Sequence, residues 1–241
     1  MALWQRFFNN GIPLYLARHY WWAYLWRPGL WLFDHHFLIN AILFGQYKVL
    51  KQHFLADIFS HVHNSQNEAH LLLANVYGSL VPDLAAKLAP VPLTLVDVAW
   101  QQLRMARQKT PPGSIQLVQM NGEQLGFDVS AFKTVMLFFL LHELPLPARQ
   151  RVLSEVMRVT VKGGHIHIAE YSALARSHWF HSIWPMRWLL QTLEPFLESF
   201  WTESLSDLLQ QCAQAHGKQL TLINSHRSFF GFYRVLAYEV R

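Results

Sequence analysis

From residue 68 onward, short apolar runs alternate with stretches in which apolar residues recur at every third or fourth position. Short apolar runs bounded by turn residues are typical of buried parallel strands, and the longer period is typical of helices that pack against them. The alternation predicts an α/β protein with a mostly parallel sheet covered on both faces. Strands are expected at residues 70–76, 93–98, 114–120, 134–139 and 164–169.

The same pattern predicts helices between these strands and two more strands near the end of the sequence. The segment "KQLTLINSHRSFFGFYRVLAYEV" is typical of two strands joined around Gly231, which makes seven strands in all. Gly163 and Gly164 are expected to end the last of the intervening helices, because glycine favours the left-handed backbone found there. The helices are expected at residues 82–88, 100–107 and 147–159.

Two aromatic-rich segments lie outside this alternation. Residues 1–67 predict an N-terminal extension of two or three helices interrupted at Pro28 and Gly29, and residues 172–203 predict a helical insertion after the fifth strand. Residues 68–241 form the α/β part, and we expect all of these segments to belong to one domain. Ligands of open α/β sheets bind outside the carboxyl ends of the strands, so the two segments are expected to roof the binding site.

Composition limits the possible classes of protein. The chain has 241 residues, 52% of them hydrophobic, which is enough for one substantial core. Its net charge is +5, but no run of Lys or Arg suggests nucleic-acid binding. Cys212 is the only cysteine, so an internal disulfide and a thiolate zinc cluster are excluded.

Location is predicted from the same composition. The sequence shows neither an apolar run long enough to span a membrane nor a signal-peptide pattern, so we expect a cytoplasmic protein. Arg18, Arg27, Arg176 and Arg187 interrupt the aromatic segments as interfacial residues do. We therefore expect peripheral binding to the inner membrane through the extension and through residues 179–188.

The segment "LLLANVYGSLVPDLAAKL", residues 71–88, predicts a strand, a turn and a helix, the arrangement of a nucleotide-binding turn. Asp97 ends the next strand, where a carboxylate can accept hydrogen bonds from two ribose hydroxyls. A dinucleotide enzyme would need several glycines in the turn, whereas this one has only Gly78, flanked by Tyr77 and Ser79. A ligand with an adenosine but no phosphates tolerates such side chains, which indicates S-adenosylmethionine.

Short motifs along nearly the whole chain suggest a narrower family. "YWWAYL", "FGQY", "VYGSL", "VDV", "LFFLLHE", "LEPF" and "FFGFY" resemble the rhodoquinone-biosynthesis methyltransferase-like proteins, which are relatives of the quinone-ring methyltransferases. The resemblance implies the seven-stranded, Rossmann-like fold of class I methyltransferases, S-adenosylmethionine as cofactor, a polyprenyl quinone substrate and support by Mn²⁺. It also implies a reaction in which an amino group replaces a methoxy group of ubiquinone.

The cofactor-binding residues predicted from the turn and from the resemblance are Tyr77, Gly78, Ser79, Asp97, Val98, Asn121, Gly122 and Phe138. Ser79 and Asn121 stand where the family, as it is known, has acidic residues. The metal ligands are therefore left unassigned.

His142 and Glu143 follow the fourth predicted strand, and Tyr77 follows the first. His and Glu side chains near the reacting methyl group can move a proton, so His142 and Glu143, which are part of the resemblance, are predicted catalytic residues. Tyr77 is the third, because it is expected to face the cofactor. His165 and His167 are predicted to be an interior pair that touches a helix. Two alternatives stay open: a quinone-ring C- or O-methyltransferase, and a non-catalytic protein that binds S-adenosylmethionine and quinone.

Overall fold

Seven strands form one sheet in the computed structural model, which describes residues 11–62, 68–173, 179 and 183–241. The strand order is β3-β2-β1-β4-β5-β7-β6, with β1 to β5 parallel and β7 antiparallel to both of its neighbours. The predicted seven-stranded, mostly parallel α/β fold is confirmed. The strands are β1 His70–Leu73, β2 Leu93–Asp97, β3 Ile115–Gln119, β4 Phe132–Phe138, β5 Thr160–Tyr171, β6 Leu220–Ser228 and β7 Tyr233–Val240.

Helices cover both faces of this sheet, because every residue of the central strand β1 and its neighbour β2 is buried. The α-helices in the described part of the chain, in order, are α1 Leu14–His19, α2 Trp21–Tyr24, α3 Arg27–Phe33, α4 His36–Ile42, α5 Tyr47–His61, α6 Leu80–Leu88, α7 Trp100–Lys109, α8 Leu146–Val159, α9 Trp184–Leu193, α10 Leu197–Thr202 and α11 Leu205–Ala215.

Two predicted element ends are wrong. Strand β1 ends at Leu73 and not at residue 76, because Ala74 adopts a left-handed conformation with φ of 66°. Helix α8 ends at Val159, and Gly163 and Gly164 lie inside β5. The pairing of β5 with β4 shifts register here, and a Cβ atom on Gly164 would lie 2.8 Å from the Lys133 carbonyl oxygen. These glycines permit an irregularity in the strand pair and do not cap the helix.

The extension contains more helices than expected, with α1 to α5 in residues 11–62. Pro28 and Gly29 do not interrupt a helix, since Pro28 lies in the first turn of α3, where proline is tolerated. Gly29 allows α3 to pack closely on α2, because a Cβ atom there would overlap the Trp22 carbonyl oxygen. Leu50 and Phe54 of α5 are fully buried in the same core as the sheet.

The predicted helical insertion after the fifth strand is present as α9 and α10. Arg176 lies outside the described residues, as do the side chains of Arg27 and Arg187. Among the helices described, none is both long enough and apolar enough to cross a bilayer.

Candidate active site

Two adjoining cavities lie at the carboxyl ends of the central strands. The first has a volume of about 90 Å³ and is lined by the ends of β1, β2 and β4 and by the start of the extension. The second has a volume of about 120 Å³ and is enclosed by α2, α3, α4 and the end of α9. The extension therefore roofs both cavities, as predicted, and the residues that line both are Tyr24, Asn75, Phe138, Phe139 and Glu143.

Asp97 lies at the end of β2 in the first cavity, which we call the cofactor cavity. Its carboxylate accepts one hydrogen bond from the backbone N–H of Asn75 and one from that of Ala99, both at 2.8 Å. Burial raises the pKa of Asp97 to about 6, although these two hydrogen bonds oppose the rise. Each oxygen keeps a lone pair, so the carboxylate can still accept the ribose hydroxyls.

The turn after β1 brings main-chain atoms close to the cofactor cavity. Ala74 lines the cavity in its left-handed conformation, and Phe139 adopts a similar one, with φ of 55°, at the end of β4. Non-glycine residues with positive φ are uncommon, and they concentrate at functional sites. Asn75, which sequence reasoning did not single out, has a buried side-chain oxygen without a hydrogen-bond partner between the two cavities. That oxygen can accept a hydrogen bond from a ligand.

Val98, Asn121, Gly122 and Phe138 also line the cofactor cavity, so the structure brings these predicted residues together with Asp97. The Asn121 side-chain oxygen accepts a hydrogen bond from the backbone N–H of Glu123 at 3.0 Å. Tyr15 on α1 lines the same cavity, a contribution of the extension that sequence reasoning missed. Its hydroxyl donates to the Glu123 carboxylate at 3.0 Å, which links the extension to the loop after β3.

Gly78 and Ser79 do not line either cavity. The Tyr47 hydroxyl of α5 occupies the turn and accepts hydrogen bonds from the backbone N–H groups of Ser79 and Leu80, at 3.0 and 3.2 Å. The N–H of Gly78 instead donates to Asp34. The N–H groups expected to hold the cofactor are therefore bonded to the extension, whose contacts the strand-turn-helix pattern alone could not reveal.

Tyr77 lines the second cavity and not the cofactor cavity. Its hydroxyl donates to the Ala23 carbonyl oxygen at 2.5 Å and accepts from Gln102 at 2.9 Å. The ring is stacked on Tyr24 with an interplanar angle of 8°. Burial raises the pKa of Tyr77, so its phenol stays protonated at ordinary pH and forms part of the wall.

His142 is buried and held between two carboxylates. Its Nδ1 lies 2.7 Å from Glu170, and its Nε2 lies 3.5 Å from Glu194 on the loop after α9. Burial opposes protonation, but the two carboxylates raise the pKa of His142 well above its ordinary value. Glu170 is fully buried and also accepts hydrogen bonds from the backbone N–H groups of Leu141, His142 and Tyr171, so it fixes the imidazole orientation.

Glu143 stands where the two cavities meet, and the Tyr24 hydroxyl donates a short hydrogen bond to it. Burial raises the pKa of Glu143 to about 8, and Glu194 adds to the rise while His142 and the hydrogen bond from Tyr24 oppose it. A carboxyl group with such a pKa is mostly protonated at pH 7, and its ionised fraction is a stronger base than an ordinary carboxylate. The predicted pair of His142 and Glu143 therefore lies at the second cavity, together with Glu194, which sequence reasoning missed.

His142, Glu143 and Glu194 can also hold a metal ion, since one ligand atom from each lies within 4.8 Å of the others. Imidazole nitrogen and carboxylate oxygens are ligands that Mn²⁺ accepts. Ser79 bonds elsewhere: its hydroxyl accepts a hydrogen bond from Lys51 and donates one to Asp83. His142, Glu143 and Glu194 thus fit the Mn²⁺ that the resemblance implies. They stand at other positions than Ser79 and Asn121, where the family has acidic residues.

His165 and His167 face helix α5, where both contact His61. His167 is fully buried, and neither of its ring nitrogens has a hydrogen-bond partner. Burial lowers the pKa of His167 to about 3, helped by the charges of the neighbouring His165 and His61. The predicted contact of this pair with a helix is confirmed, and His167 is interior, whereas His165 is half-buried.

Comparison with known proteins agrees with this geometry. Residues 71–164 match the family described as a methyltransferase domain. This segment, which runs from β1 into β5, is similar to methyltransferase domains. Such domains use S-adenosylmethionine, so the predicted cofactor and the assignment to the transferases are confirmed, whereas the narrower likeness to rhodoquinone-biosynthesis proteins stays a prediction.

The individual proteins that resemble this chain are similar to it either over a short segment or at low sequence identity. The phosphatidylethanolamine N-methyltransferase of Cereibacter sphaeroides is 34% identical over 87 residues, which cover 34% of this chain and 42% of that protein. The chain thus spans less than half the length of this relative. Among solved structures, a methyltransferase from Mesorhizobium loti gives a TM-score of 0.55 at 10% identity, with 80% of this chain and 97% of that chain covered.

The N-methyltransferase NodS from Bradyrhizobium japonicum WM9 gives a TM-score of 0.53 at 12% identity, with 80% of this chain and 98% of that chain covered. At such identities the two solved structures show a shared fold.

Proposed function

We propose that this methyltransferase domain transfers the methyl group of S-adenosylmethionine to the ring of a lipid quinol. The observation that carries the proposal is the pair of adjoining cavities that share Glu143 and Tyr24. The cofactor cavity has the Asp97 carboxylate and the turn after β1, which suit an adenosine. The other, which we call the acceptor cavity, has aromatic walls suited to a flat ring, including the stacked pair of Tyr24 and Tyr77.

Glu143 is the proton acceptor in this proposal. As the quinol oxygen or ring carbon attacks the methyl carbon, the bond from that carbon to sulfur breaks and its electron pair stays on sulfur. The proton lost from the quinol moves to the Glu143 carboxylate, and S-adenosylhomocysteine is the second product. Holding the two reactants in adjoining cavities supplies the proximity that methyl transfer requires.

His142 positions the quinol ring. Its Nδ1 is fixed by the fully buried Glu170, so its Nε2 faces the acceptor cavity with Glu194. An N–H there can donate a hydrogen bond to a quinol or quinone oxygen. A divalent cation would take the place of the protons on His142 and Glu143. Held by these two residues and Glu194 instead of that hydrogen bond, it would supply Lewis-acid polarisation of such an oxygen.

Two other acceptor reactions have observations in their favour. The relative named for phosphatidylethanolamine N-methylation favours an amine, which the carboxylates of Glu143 and Glu194 and the aromatic walls would suit. The motifs shared with rhodoquinone-biosynthesis proteins favour replacement of a methoxy group of ubiquinone by an amino group. The mass of the product distinguishes all three reactions.

A substitution of the proposed base tests the mechanism. Glu143→Gln keeps the size of the side chain but removes its ability to accept the proton, so turnover should fall by roughly 10²- to 10⁴-fold. Cofactor affinity should change by less than about threefold, because the base acts in the transition state. Unchanged turnover would remove Glu143 from the mechanism.

A cavity-filling substitution tests the acceptor site itself. Ile42 lines only the acceptor cavity, so Ile42→Trp should abolish transfer to quinol while calorimetry still shows cofactor binding. Val49→Trp is the matched control, because Val49 lies on α5 with 37% of its surface exposed. Full quinol turnover by the Ile42→Trp protein would contradict the placement of the acceptor.

A further inference from the structure

An open groove on the outside of the extension combines aromatic and basic side chains. Trp31 on α3 and Trp100 on α7 both line it, with 68% and 51% of their surfaces exposed. Exposed tryptophans are costly in water and are enriched where a protein meets the headgroup layer of a bilayer. Sequence reasoning placed the membrane surface on the extension and the insertion and did not include α7.

The charge of the groove is positive. Arg104 lines it beside Trp100, and Arg107 joins these two residues at an adjoining depression. Both arginines are exposed, and within the described ranges neither forms an ion pair with a carboxylate. Asp34 is the acid that lines the groove, and Lys109 neutralises it through an ion pair. Free guanidinium groups beside exposed indoles suit the phosphates of a lipid surface.

The groove lies on the other side of the helices that wall the acceptor cavity. Trp22 and Phe33 of α2 and α3 line the acceptor cavity, whereas Leu30 and Trp31 of α3 line the groove. A single layer of helices therefore separates the two. A surface that rests on the groove would lie one helix away from the proposed ring site.

We propose that this groove docks the protein on an anionic phospholipid bilayer. The indoles of Trp31 and Trp100 enter the headgroup layer, and the guanidinium groups of Arg104 and Arg107 bind lipid phosphates. This docking requires neither the cofactor nor the proposed substrate. Its use, to admit a lipid substrate from the bilayer, rests on the proposed function.

Vesicle flotation without cofactor or quinol tests the docking. The full chain should float with vesicles of phosphatidylcholine and phosphatidylglycerol at low salt and should float poorly with phosphatidylcholine alone. Arg104→Glu with Arg107→Glu should reduce the bound fraction at least about tenfold, since each basic residue near such a surface contributes about 1 kcal/mol. Trp31→Ser with Trp100→Ser should reduce it as well.

Matched controls lie in the β5 to β6 part of the sheet, whereas α7 packs against β2 and β3. Lys162→Glu with Arg227→Glu makes the same change in net charge on β5 and β6, and Phe230→Ser removes an aromatic side chain that is 84% exposed. Both controls should float like the unmodified protein. Flotation of either groove variant at the unmodified level would overturn the proposal. So would a failure of the unmodified chain to bind anionic vesicles, and so would a dimer in sedimentation that the tryptophan variant abolishes.

Discussion

Asp97 joins the fold to the proposed cofactor chemistry at the scale of one residue. Its carboxylate receives two backbone hydrogen bonds and faces the cofactor cavity, so Asp97→Ala should weaken binding of S-adenosylmethionine by about 1.5 to 3 kcal/mol. Asp128→Ala, at an exposed carboxylate outside the cavity, is the control. Isothermal titration calorimetry measures both, and equal affinity of the two variants would exclude Asp97 from the site.

The raised pKa of Asp97 adds a pH dependence to the same interaction. The ionised carboxylate accepts ribose hydroxyls better than the acid, and its pKa is raised by burial to about 6. Cofactor affinity should be constant above about pH 7 and should fall up to tenfold for each pH unit below 6. The Asp97→Ala protein should lack this dependence. An affinity that rises on acidification would contradict the assignment.

His167 predicts how stability depends on pH. Burial lowers its pKa to about 3 in the folded protein, against an ordinary value of 6.5, so the unfolded chain takes up the proton first on acidification. The contribution of the neutral His167 to the free energy of unfolding is fully present above pH 6.5. It falls by about 1.4 kcal/mol for each pH unit between about 6 and 3.

Urea denaturation at pH 7 and at pH 5 measures the effect of His167. His167→Leu should flatten the loss of stability between these pH values, because the variant has no imidazole to protonate at this position. His35→Leu, at an exposed position, should keep the original slope. Equal slopes for the two variants would show that His167 is not responsible.

Part of the candidate site could be predicted from individual residues of the sequence. Asp97, His142 and Glu143 could be predicted because each follows a buried strand, and the carboxyl ends of parallel strands meet at one edge of a sheet. Tyr15, Tyr24 and Glu194 could not, because their place depends on how the extension and the insertion fold over that edge. No local pattern encodes such long-range contacts.

At the scale of elements, helix α5 and the turn after β1 depend on each other. Gly78 has a φ of 81°, and a Cβ atom on it would lie 2.6 Å from the Tyr47 hydroxyl. Gly78→Ala should therefore destabilise the fold by more than backbone strain alone. Gly113→Ala isolates the strain, since Gly113 has the same φ and nothing lies within 4 Å of its added Cβ.

Chemical denaturation of the two glycine variants measures the difference. We expect Gly78→Ala to cost about 1 to 3 kcal/mol more than Gly113→Ala, because the shifted Tyr47 leaves buried N–H groups unsatisfied. Equal costs would show that Tyr47 does not fill the turn.

Element types were more predictable than element ends. The strong apolar runs gave all seven strands, whereas the ends of β1 and α8 depended on a left-handed Ala74 and on an irregular pair between β4 and β5. Glycine is common both at helix ends and in strand irregularities, so Gly163 and Gly164 could not decide between them.

At the scale of the whole molecule, the extension connects the sheet with the proposed ligands. Helix α5 completes the core of the sheet, α2 and α3 wall the acceptor cavity, and the outside of α3 forms part of the proposed lipid-facing groove. This arrangement accounts for the many aromatic residues in the first quarter of the chain. Some of these residues pack in the core, others line the acceptor cavity, and others are exposed on the groove.

The transfer itself is tested most directly by the fate of a labelled methyl group. The protein is incubated with S-adenosylmethionine carrying ¹³C in the methyl group and with a methoxy-bearing lipid quinol that keeps one unsubstituted ring carbon, in anionic vesicles that also contain phosphatidylethanolamine. The lipids are then analysed by mass spectrometry. The account predicts a quinol that has gained one labelled methyl group. Label in phosphatidylethanolamine alone, a quinone that has exchanged methoxy for amino, or no labelled product would contradict it.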